Sequence, residues 1–558
     1  MSAALSQQQM EPSHAQTLKP SNPYRMKWAE ARLVHWKGHL DAGTFEIVRK
    51  STVPRECKVS RGKWVYKVKT DPASGAVTRF KARFCARGFE QRPHIDFDPL
   101  AVSSSVIGLS SLRFLIAQSC RLGLEMTGID ISDAYVQADL SHELYLDIPR
   151  DVEGLATHDQ DGHALCLRCK KALFGWTQAG RCWQDQFRAT LRKLGCRRLK
   201  SDSNIHVYKG MWIGVYSDDC IICSPCRATR DEFVARLHAI HPLRDEGRLE
   251  SMLGMKIDQS TTPSGARVVR LAMPSYISNV GARFGLAQCR LVRRPVGTDA
   301  KDLKATDELA DGADKDNFRR KVGAVLWAAI TTRPELCATV ATCCKFMAKP
   351  TKRSCVLVDR CIRYLVSTPD HGITYTCDDP GMHNLESSGV TTWCDANWAG
   401  DADSAKSTTG VCLCVAGGVF EFYSRLQRSV SMSSTESECI ALASAVTEVE
   451  FFRSLAAELG FRDGDQPWTV NVDNLSAINS AHNDGVRRTR HINIRFAKVR
   501  QCVEDKVIKL NHVNGGASLS SEQRADIFTK NCNGPLWDKF AGVVCGAPVA
   551  FRNNQGVT

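Results

Sequence analysis

Residues 212–222 read Trp-Ile-Gly-Val-Tyr-Ser-Asp-Asp-Cys-Ile-Ile, in which two adjacent acids separate two apolar half-strands. This pattern predicts a tight hairpin with Asp218 and Asp219 at its tip. Adjacent carboxylates at a buried turn repel each other and raise each other's pKa, and a divalent cation removes that cost. Because the ligands are all oxygens, Mg²⁺ or Mn²⁺ is expected rather than zinc.

A third acid follows another apolar run. Residues 128–135 read Gly-Ile-Asp-Ile-Ser-Asp-Ala-Tyr, so Asp130 ends a strand-like segment. A carboxylate at a strand end is often only a cap for the next helix, and this interpretation stays open beside a metal-binding one.

A cationic strand lies upstream of these acids. The stretches Trp64–Lys69, 71–75 and Arg79–Arg87 predict strand, turn and strand. Side chains alternate between the two faces of a strand. One face of the second strand therefore carries Arg79, Lys81 and Arg83, and the other carries Phe80, Ala82 and Phe84. The alternative to a ligand-binding face is a solvated edge strand whose charges prevent pairing.

Polar groups that could contact a nucleic acid follow between residues 171 and 183, which read Lys-Ala-Leu-Phe-Gly-Trp-Thr-Gln-Ala-Gly-Arg-Cys-Trp. Gly175 permits close backbone approach. Gln178 and Arg181 offer hydrogen-bond donors to a base or a phosphate. The alternative is a loop that enters a helix.

In this order and spacing, the four segments resemble the fingers and palm of copia-type reverse transcriptases. The matching fragments are Lys81-Ala-Arg83, Asp130-x-x-x-Ala134, Ala172-Leu-Phe-Gly175-x-x-Gln178-x-x-Arg181-x-Trp183 and Tyr216-x-Asp218-Asp219. The resemblance implies that the three acids hold two metal ions, one activating the primer 3′-hydroxyl and one steadying the leaving pyrophosphate. It departs at Ser217, where the family usually has an aliphatic residue.

The resemblance also implies roles for the surrounding side chains. Nucleotide binding is expected of Lys81, Arg83, Tyr135, Gly175 and Gln178, and nucleic-acid contact of Arg181. The Tyr135 ring is expected beneath the sugar of the incoming nucleotide, where it excludes a 2′-hydroxyl. The alternative is an aromatic side chain in the core.

Four further acids are spread over the last third of the chain. They lie in Trp393-Cys-Asp395, Ser433-Ser-Thr-Glu-Ser-Glu438-Cys-Ile-Ala-Leu442, Val470-Asn-Val-Asp473 and Arg524-Ala-Asp526-Ile-Phe-Thr-Lys530. Each alone fits a solvated carboxylate or a helix cap, and a cap is expected near Ser434 or Thr435.

As a series these acids resemble copia-type RNase H. The resemblance implies that Asp395, Glu438, Asp473 and Asp526 bind two Mg²⁺ ions for attack of water on a phosphodiester. Glu438 is preferred to Glu436 because it directly precedes the Cys-Ile-Ala-Leu run. A basic run precedes the last acid, and its Arg488, Arg490 and His491 are expected to contact the phosphates of a hybrid. The alternative for this run is a solvated face.

Composition sets wider limits. The 558 residues predict three or four domain-sized units, and the net charge, 74 − 60 = +14, suits a polyanionic partner. No apolar stretch has the length of a membrane span or a signal peptide, so a soluble, intracellular protein is expected. The 24 cysteines are scattered, which favours reduced, buried thiols. Cys220, Cys223 and Cys226 could suggest zinc, but residues three apart on a strand face opposite ways.

The prediction is an α/β chain with five parts. These are a flexible N-terminal tail (1–27), reverse transcriptase fingers and palm (28–250), a thumb- or connection-like helical region (251–385), an RNase H-like mixed five-stranded sheet with helices (386–532) and a C-terminal tail (533–558).

The implied function is RNA-directed DNA synthesis with RNase H activity. The expected partners are an RNA template, a DNA primer, an RNA/DNA hybrid and deoxynucleoside triphosphates, in a cytoplasmic virus-like particle or in the nucleus. The alternative is an inactive or domesticated remnant that binds nucleic acid without polymerising.

Overall fold

The computed structural model describes residues 10–70, 77–297, 303–378, 385–463, 466–482, 490–516, 518–532, 534–549 and 551. The fold is mixed α/β, as predicted. No helix in these ranges combines the length and the apolar character needed to cross a bilayer.

The first part of the chain builds a hairpin covered by helices. Its elements are α1 (His14–Leu18), α2 (Arg25–Asp41), β1 (Phe45–Arg49), β2 (Val59–Ser60), β3 (Gly62–Thr70) and β4 (Val77–Ala86). Strands β3 and β4 pair antiparallel, so the predicted strand pair is confirmed, while the turn at 71–75 lies outside the described residues. Ala82 and Phe84 are buried, and Phe80 packs edge-on against Trp28 of α2. The apolar face predicted for β4 therefore packs beneath α2.

Next comes an antiparallel six-stranded sheet that carries the Asp218–Asp219 hairpin. The elements are α3 (Leu109–Leu122), β5 (Glu125–Ile131), α4 (Ala134–Gln137), β6 (Asp139–Leu146), β7 (Leu165–Lys171), α5 (Ala179–Lys193), β8 (Arg197–Arg198), β9 (Ile205–Tyr208), β10 (Met211–Tyr216), β11 (Asp219–Ser224), α6 (Arg227–His238) and β12 (Leu243–Arg248). The sheet order is β12-β5-β11-β10-β9-β8. Strands β1, β7, β6 and β2 form a separate sheet.

The middle region contains a sheet as well as the predicted helices. The elements are β13 (Ser251–Met252), β14 (Met255–Thr261), β15 (Arg267–Ala272), α7 (Pro274–Arg283), α8 (Gly312–Thr331), α9 (Cys337–Lys345), α10 (Lys352–Ser367) and β16 (Ile373–Cys377). Strand β16 pairs with β15 across about a hundred residues of chain, a long-range contact that local periodicity cannot reveal.

The last region is a five-stranded mixed sheet with helices, as predicted. Its elements are β17 (Thr391–Asn397), β18 (Thr408–Val415), β19 (Gly418–Leu426), α11 (Ser434–Leu459), β20 (Trp468–Val472), α12 (Leu475–His482), α13 (Arg490–Glu504), β21 (Ile508–His512), α14 (Asp526–Thr529) and α15 (Gly534–Cys545). The strand order is β19-β18-β17-β20-β21, with β20 parallel to both of its neighbours.

Both expected tails contain packed structure. In the part of 1–27 that the structure describes, Ser13 caps α1, and Thr17 is buried against Arg32. In 533–558, helix α15 buries Trp537 against Tyr364 of α10. These short segments gain stability from tertiary packing rather than from intrinsic helix propensity.

A continuous apolar core joins the palm to the last sheet. It runs from α3 through the middle helices into β17, β18, β19 and α11. Arg113 of α3 lies fully inside it and donates to the carbonyl oxygens of Phe420 (2.7 Å), Ile330 (2.6 Å) and Thr331 (3.1 Å). One buried guanidinium thus connects three parts of the chain.

Candidate active sites

The first candidate site lies at the β10–β11 hairpin. Tyr216 pairs with Asp219, so Ser217 and Asp218 form a two-residue turn in which Ser217 has a φ of 61°. The Ser217 carbonyl oxygen accepts a hydrogen bond from the indole nitrogen of Trp183 at 3.0 Å. A helix outside the sheet therefore holds the turn in place.

The third acid lies on the neighbouring strand. Asp130 is directly opposite Asp219, and the Ile131 amide donates to the Asp218 carbonyl at 2.9 Å. Partial desolvation in the cleft, and then the charges of Asp218 and Asp130, raise the pKa of Asp219 to about 6. Desolvation, and then the charge of Asp218, also raises the pKa of Asp130. The cluster carries more negative charge than its surroundings neutralise.

A cleft of about 950 Å³ joins this acidic cluster to the cationic strand. Its lining includes all three acids, and from β4 it includes Lys81 and Arg83. Burial, and then the charge of Arg83, lowers the pKa of Lys81. The Arg83 guanidinium lies 5.2 Å from the centre of the Phe174 ring. The polar face of β4 therefore lines the cleft instead of forming a fully solvated edge.

Two cleft residues were missed by the sequence analysis. Arg244 and Glu246 lie on β12, which pairs with β5 so that Arg244 is opposite Asp130. They form an ion pair with each other. Nothing in the local pattern around residue 244 indicated this position, because only the pairing of β12 with β5 creates it.

The loop before α5 partly matches its prediction. A Cβ on Gly175 would lie 2.1 Å from the Ala86 carbonyl oxygen, so the close backbone approach occurs. Gln178, however, is buried, and its side-chain amide bonds Gln91 and the Asp96 carbonyl oxygen. In this structure the Gln178 amide fixes a loop, and its nucleotide-binding role stays a prediction.

Two other predicted contact residues have protein partners. Arg181 forms an exposed ion pair with Asp185 at 2.6 Å. Tyr135 is half-buried, and its ring centre lies 4.8 Å from that of Phe174, a cleft-lining residue. Tyr135 is thus one side chain away from the cleft, and its role stays a prediction.

The second candidate site gathers acids from four elements. Asp395 lies on β17, Glu438 on α11, Asp473 directly after β20, and Asp526 at the start of α14. Carboxylate oxygens of Asp395, Asp473 and Asp526 all lie within 4.8 Å of one another. Residues separated by 131 positions in sequence therefore share one centre.

The fourth acid, Glu438, is close enough for the charges of Asp395 and Asp473 to act on it. Glu438 is buried, one of its oxygens accepts from the Ala396 amide at 3.3 Å, and the other has no hydrogen-bond partner among the described residues. Burial, and then the charges of Asp395 and Asp473, raises the pKa of Glu438 to about 9. An all-oxygen donor set with an unsatisfied buried carboxylate fits a hard divalent cation.

The cap of α11 gives Glu436 and Glu438 different surroundings. The N-cap is Ser433, one residue earlier than expected, and its hydroxyl accepts from the Glu436 amide. The Glu436 carboxylate in turn accepts from the Met432 amide at 2.7 Å. Glu436 therefore serves the helix start, while Glu438 faces the other acids.

Neighbouring residues fix the acids of the second site. The Thr529 hydroxyl donates to Asp395, and Lys530 forms ion pairs with Asp526 and, at 3.5 Å, with Asp395. A Cβ on Gly515 would lie 2.0 Å from an Asp473 oxygen, so only glycine fits there. The sequence analysis assigned no role to Thr529 and Lys530, although both lie in the segment that carries Asp526.

The structure does not describe the side chains of the three basic residues that are predicted to contact phosphates. Arg488 lies outside the described residues. Arg490 and His491 begin α13, and their side chains are outside the description. Their contact with phosphates stays a prediction.

The cysteines do not form the zinc site that was considered. Cys220 belongs to one apolar core and Cys223 to the other, on opposite faces of the sheet, and Cys226 is exposed. The strand alternation therefore separates them as expected.

With both sites described, comparison with known proteins assigns the family. Residues 43–298 match the model of the family described as reverse transcriptase (RNA-dependent DNA polymerase). The chain is 28% identical over 520 residues to the "Retrovirus-related Pol polyprotein from transposon TNT 1-94" of Nicotiana tabacum. This alignment covers 91% of this chain and 37% of that protein. The chain is 27% identical over 524 residues to the corresponding polyprotein of transposon RE1 of Arabidopsis thaliana, covering 93% of this chain and 34% of that protein. Residues 43–298 thus match the reverse transcriptase family, and the chain is similar over most of its length to copia-type retrotransposon Pol polyproteins.

The chain spans about a third of the length of the curated relatives it matches. A solved structure described as foamy viral protease-reverse transcriptase in complex with double-stranded DNA has a TM-score of 0.45 and 11% identity. That similarity covers 86% of this chain and 69% of the other, and the assignment does not rest on it.

Proposed function

We propose that this chain is the RNA-directed DNA polymerase and RNase H portion of a copia-type retrotransposon. The observation that carries the polymerase assignment is the cleft in which Asp130, Asp218 and Asp219 lie together with the cationic face of β4. Membership of the reverse transcriptase family supports the same assignment.

In this proposal the polymerase acids bind two Mg²⁺ or Mn²⁺ ions. When bound, these ions would supply charge neutralisation at the attacking 3′-hydroxyl and at the leaving pyrophosphate. Asp130 and Asp219 fit this role because burial and the charges of the neighbouring acids raise their pKa values, a cost that a divalent cation would relieve. The Ser217 turn presents Asp218 and Asp219, and the Trp183 hydrogen bond fixes that turn.

We assign the β4 cations to the triphosphate of the incoming deoxynucleotide. Lys81 and Arg83 line the cleft, so their charges attract an anion. The Arg83 guanidinium lies over the Phe174 ring at 5.2 Å, and this contact restrains the side chain before an anion binds. An RNA template and a DNA primer would occupy the remainder of the cleft.

For the nuclease, we assign metal binding to Asp395, Glu438, Asp473 and Asp526. The closeness of three of these acids and the unsatisfied oxygen of Glu438 support two divalent ions here as well. The substrate would be the RNA strand of an RNA/DNA hybrid, cleaved by in-line attack of water. The retrotransposon relatives favour action inside the cell, and we propose a cytoplasmic particle or the nucleus as the place.

Primer extension on an RNA template with Mg²⁺ tests the polymerase. Asp218→Asn should abolish extension while the melting temperature stays near that of the parent, because it removes one ligand charge without removing volume. Asp161→Asn is the control, since it neutralises an exposed acid paired with Arg49 outside the cleft. An Asp218→Asn protein that extends primers as well as the parent contradicts the assignment.

Cleavage of labelled RNA in a hybrid tests the nuclease. Glu438→Gln should stop cleavage and spare DNA synthesis, whereas Glu436→Gln should retain both activities because the amide oxygen can still accept from Met432. Loss of both activities in a folded Glu438→Gln protein is evidence against two separate metal centres. A parent protein that binds a hybrid but neither extends nor cleaves supports the alternative, an inactive remnant.

A further inference from the structure

The nuclease centre contains a cation supplied by the chain itself. Lys530 directly follows the one-turn helix α14, and its ammonium group forms an ion pair with Asp526 four residues earlier. The same nitrogen lies 3.5 Å from an oxygen of Asp395. Lys530 therefore bridges two acids of the centre.

The electrostatics of the site depend on this lysine. Burial raises the pKa of Asp526 to about 7, and the charge of Asp395 adds to that effect, while Lys530 opposes it. Lys530 also opposes the raised pKa values of Glu438 and Asp473. Although burial opposes it, the charges of Asp395 and Asp526 raise the pKa of Lys530 itself well above its usual value. The ammonium group is the counter-charge that the acids share.

Divalent ions would need the oxygens that Lys530 now contacts. Its partners, Asp526 and Asp395, are two of the three acids whose oxygens lie within 4.8 Å of one another. An ammonium and a divalent cation a few ångströms apart repel strongly in a partly buried site. The Lys530 side chain is 40% exposed on a flexible stem, so it can move outward into solvent.

We propose that Lys530 is the internal counter-cation of the metal-free nuclease centre, holding Asp395 and Asp526 together until divalent ions displace it. This inference rests on the proposed nuclease function and adds a competition between Lys530 and the metal. Lys530 is then a positioning residue that sets both the metal-free stability and the metal affinity of the site.

The test compares Lys530→Met with Lys345→Met in the full chain. Lys345 is a matched control, because it pairs with Asp401 at 2.6 Å and is 31% exposed, outside the four acids. Melting temperature is recorded over a series of Mg²⁺ concentrations. The polymerase acids are the same in all proteins, so differences between variants report the nuclease centre.

Without metal, Lys530→Met should melt at a lower temperature than Lys345→Met. The reason is that Asp395 and Asp526 then repel each other with no ammonium group between them. This variant should show a larger rise in melting temperature with Mg²⁺ and should bind Mg²⁺ about tenfold more tightly, because no internal cation competes. Lys530→Arg should behave like the parent without metal, since it keeps the charge. If Lys530→Met folds only when Mg²⁺ is present, the proposal is also supported.

Two negative outcomes can be told apart. A parent protein whose melting temperature does not respond to Mg²⁺ at any concentration contradicts the proposed metal centres themselves. A responsive parent with equal Mg²⁺ dependence in Lys530→Met and Lys345→Met overturns only the inference about Lys530. If Lys530→Met does not fold under any condition, a Lys530→Arg protein with unchanged metal-free stability supports the counter-cation, and an equally unfolded one overturns it.

Discussion

At the scale of single residues, Tyr135 allows a test of sugar selection. Its ring packs on Phe174, which lines the cleft, so loss of the ring would open space beside the nucleotide site. We predict that Tyr135→Ala admits ribonucleotides while deoxynucleotide use is partly kept, because steric exclusion of one oxygen is lost. Single-nucleotide incorporation with matched ribo- and deoxynucleotides measures this ratio.

Tyr135→Phe is the control for this experiment, since it keeps the ring and should keep the discrimination. If the ring only packs in the core, Tyr135→Ala should instead lose about 3–5 kcal/mol of stability with an unchanged ratio. A melting curve beside the incorporation assay separates the two outcomes.

Glu448 on α11 gives a pH-dependent prediction. Burial, and then the charge of Glu421, raises its pKa to about 7. The folded state therefore binds this proton more tightly than the unfolded state, so stability falls as pH rises from about 4.5 to about 7. We expect Glu448→Gln to match the parent near pH 4 and to exceed its free energy of unfolding by about 1–2 kcal/mol at pH 8, allowing for solvent screening.

Urea unfolding at pH 4, 6 and 8 measures this difference. Glu504→Gln, which changes an exposed acid on α13, is the control and should follow the parent at each pH. If the free energy of unfolding of Glu448→Gln changes with pH as that of the parent does, Glu448 does not contribute to the pH dependence.

At the scale of elements, helix α5 positions the β10–β11 hairpin. The indole nitrogen of Trp183 donates to the Ser217 carbonyl oxygen, and its ring stacks on Phe187. Trp183→Phe should keep an aromatic ring but lose the hydrogen bond, which is worth about 1 kcal/mol of stability. We expect primer extension to fall by about tenfold, because a displacement of the acids by an ångström is costly in catalysis.

The matched control is Trp36→Phe on α2, because the Trp36 indole nitrogen has no hydrogen-bond partner among the described residues. It should leave extension near the parental rate. Unchanged extension by Trp183→Phe, at normal melting temperature, would show that the hairpin holds its shape without α5.

At the scale of the whole molecule, the six-stranded sheet and the last five-stranded sheet share one core. Arg113 of α3 bonds carbonyl oxygens on α8 and β19. Arg113→Met would leave these buried oxygens without donors, at a cost of about 3–5 kcal/mol. We predict that both activities disappear over the same temperature range, lower than in the parent, because the two parts unfold together.

Primer extension and hybrid cleavage after graded heating measure this coupling. Arg121→Met is the control, since Arg121 also lies on α3 but bonds near the surface, to Gln118 and the Ser387 carbonyl oxygen. Survival of cleavage at temperatures where extension is lost would show that the parts unfold separately. Point variants such as Glu438→Gln can still separate the activities, because they alter the chemistry and not the shared core.

Local pattern alone determined several features of this protein. The alternation along β4, the hairpin that ends in Asp218 and Asp219, and the opposite faces of Cys220 and Cys223 follow from a period of two. The preference for Glu438 over Glu436 also depended on its place before an apolar helix run, and it stays a prediction. Such features depend on neighbours within a few residues, which the sequence displays directly.

Only the tertiary structure decided the rest. The pairing of β12 with β5 brings Arg244 and Glu246 into the cleft, and the burial of Gln178 uses its amide for protein contacts. The expected C-terminal tail folds as α15, because β19, β16 and residues Pro334–Leu336 pack against it. Lys530 acquires its place between two acids through the packing of α14 on β18 and β17. These outcomes arise from contacts between distant segments, and no local periodicity specifies which segments will meet.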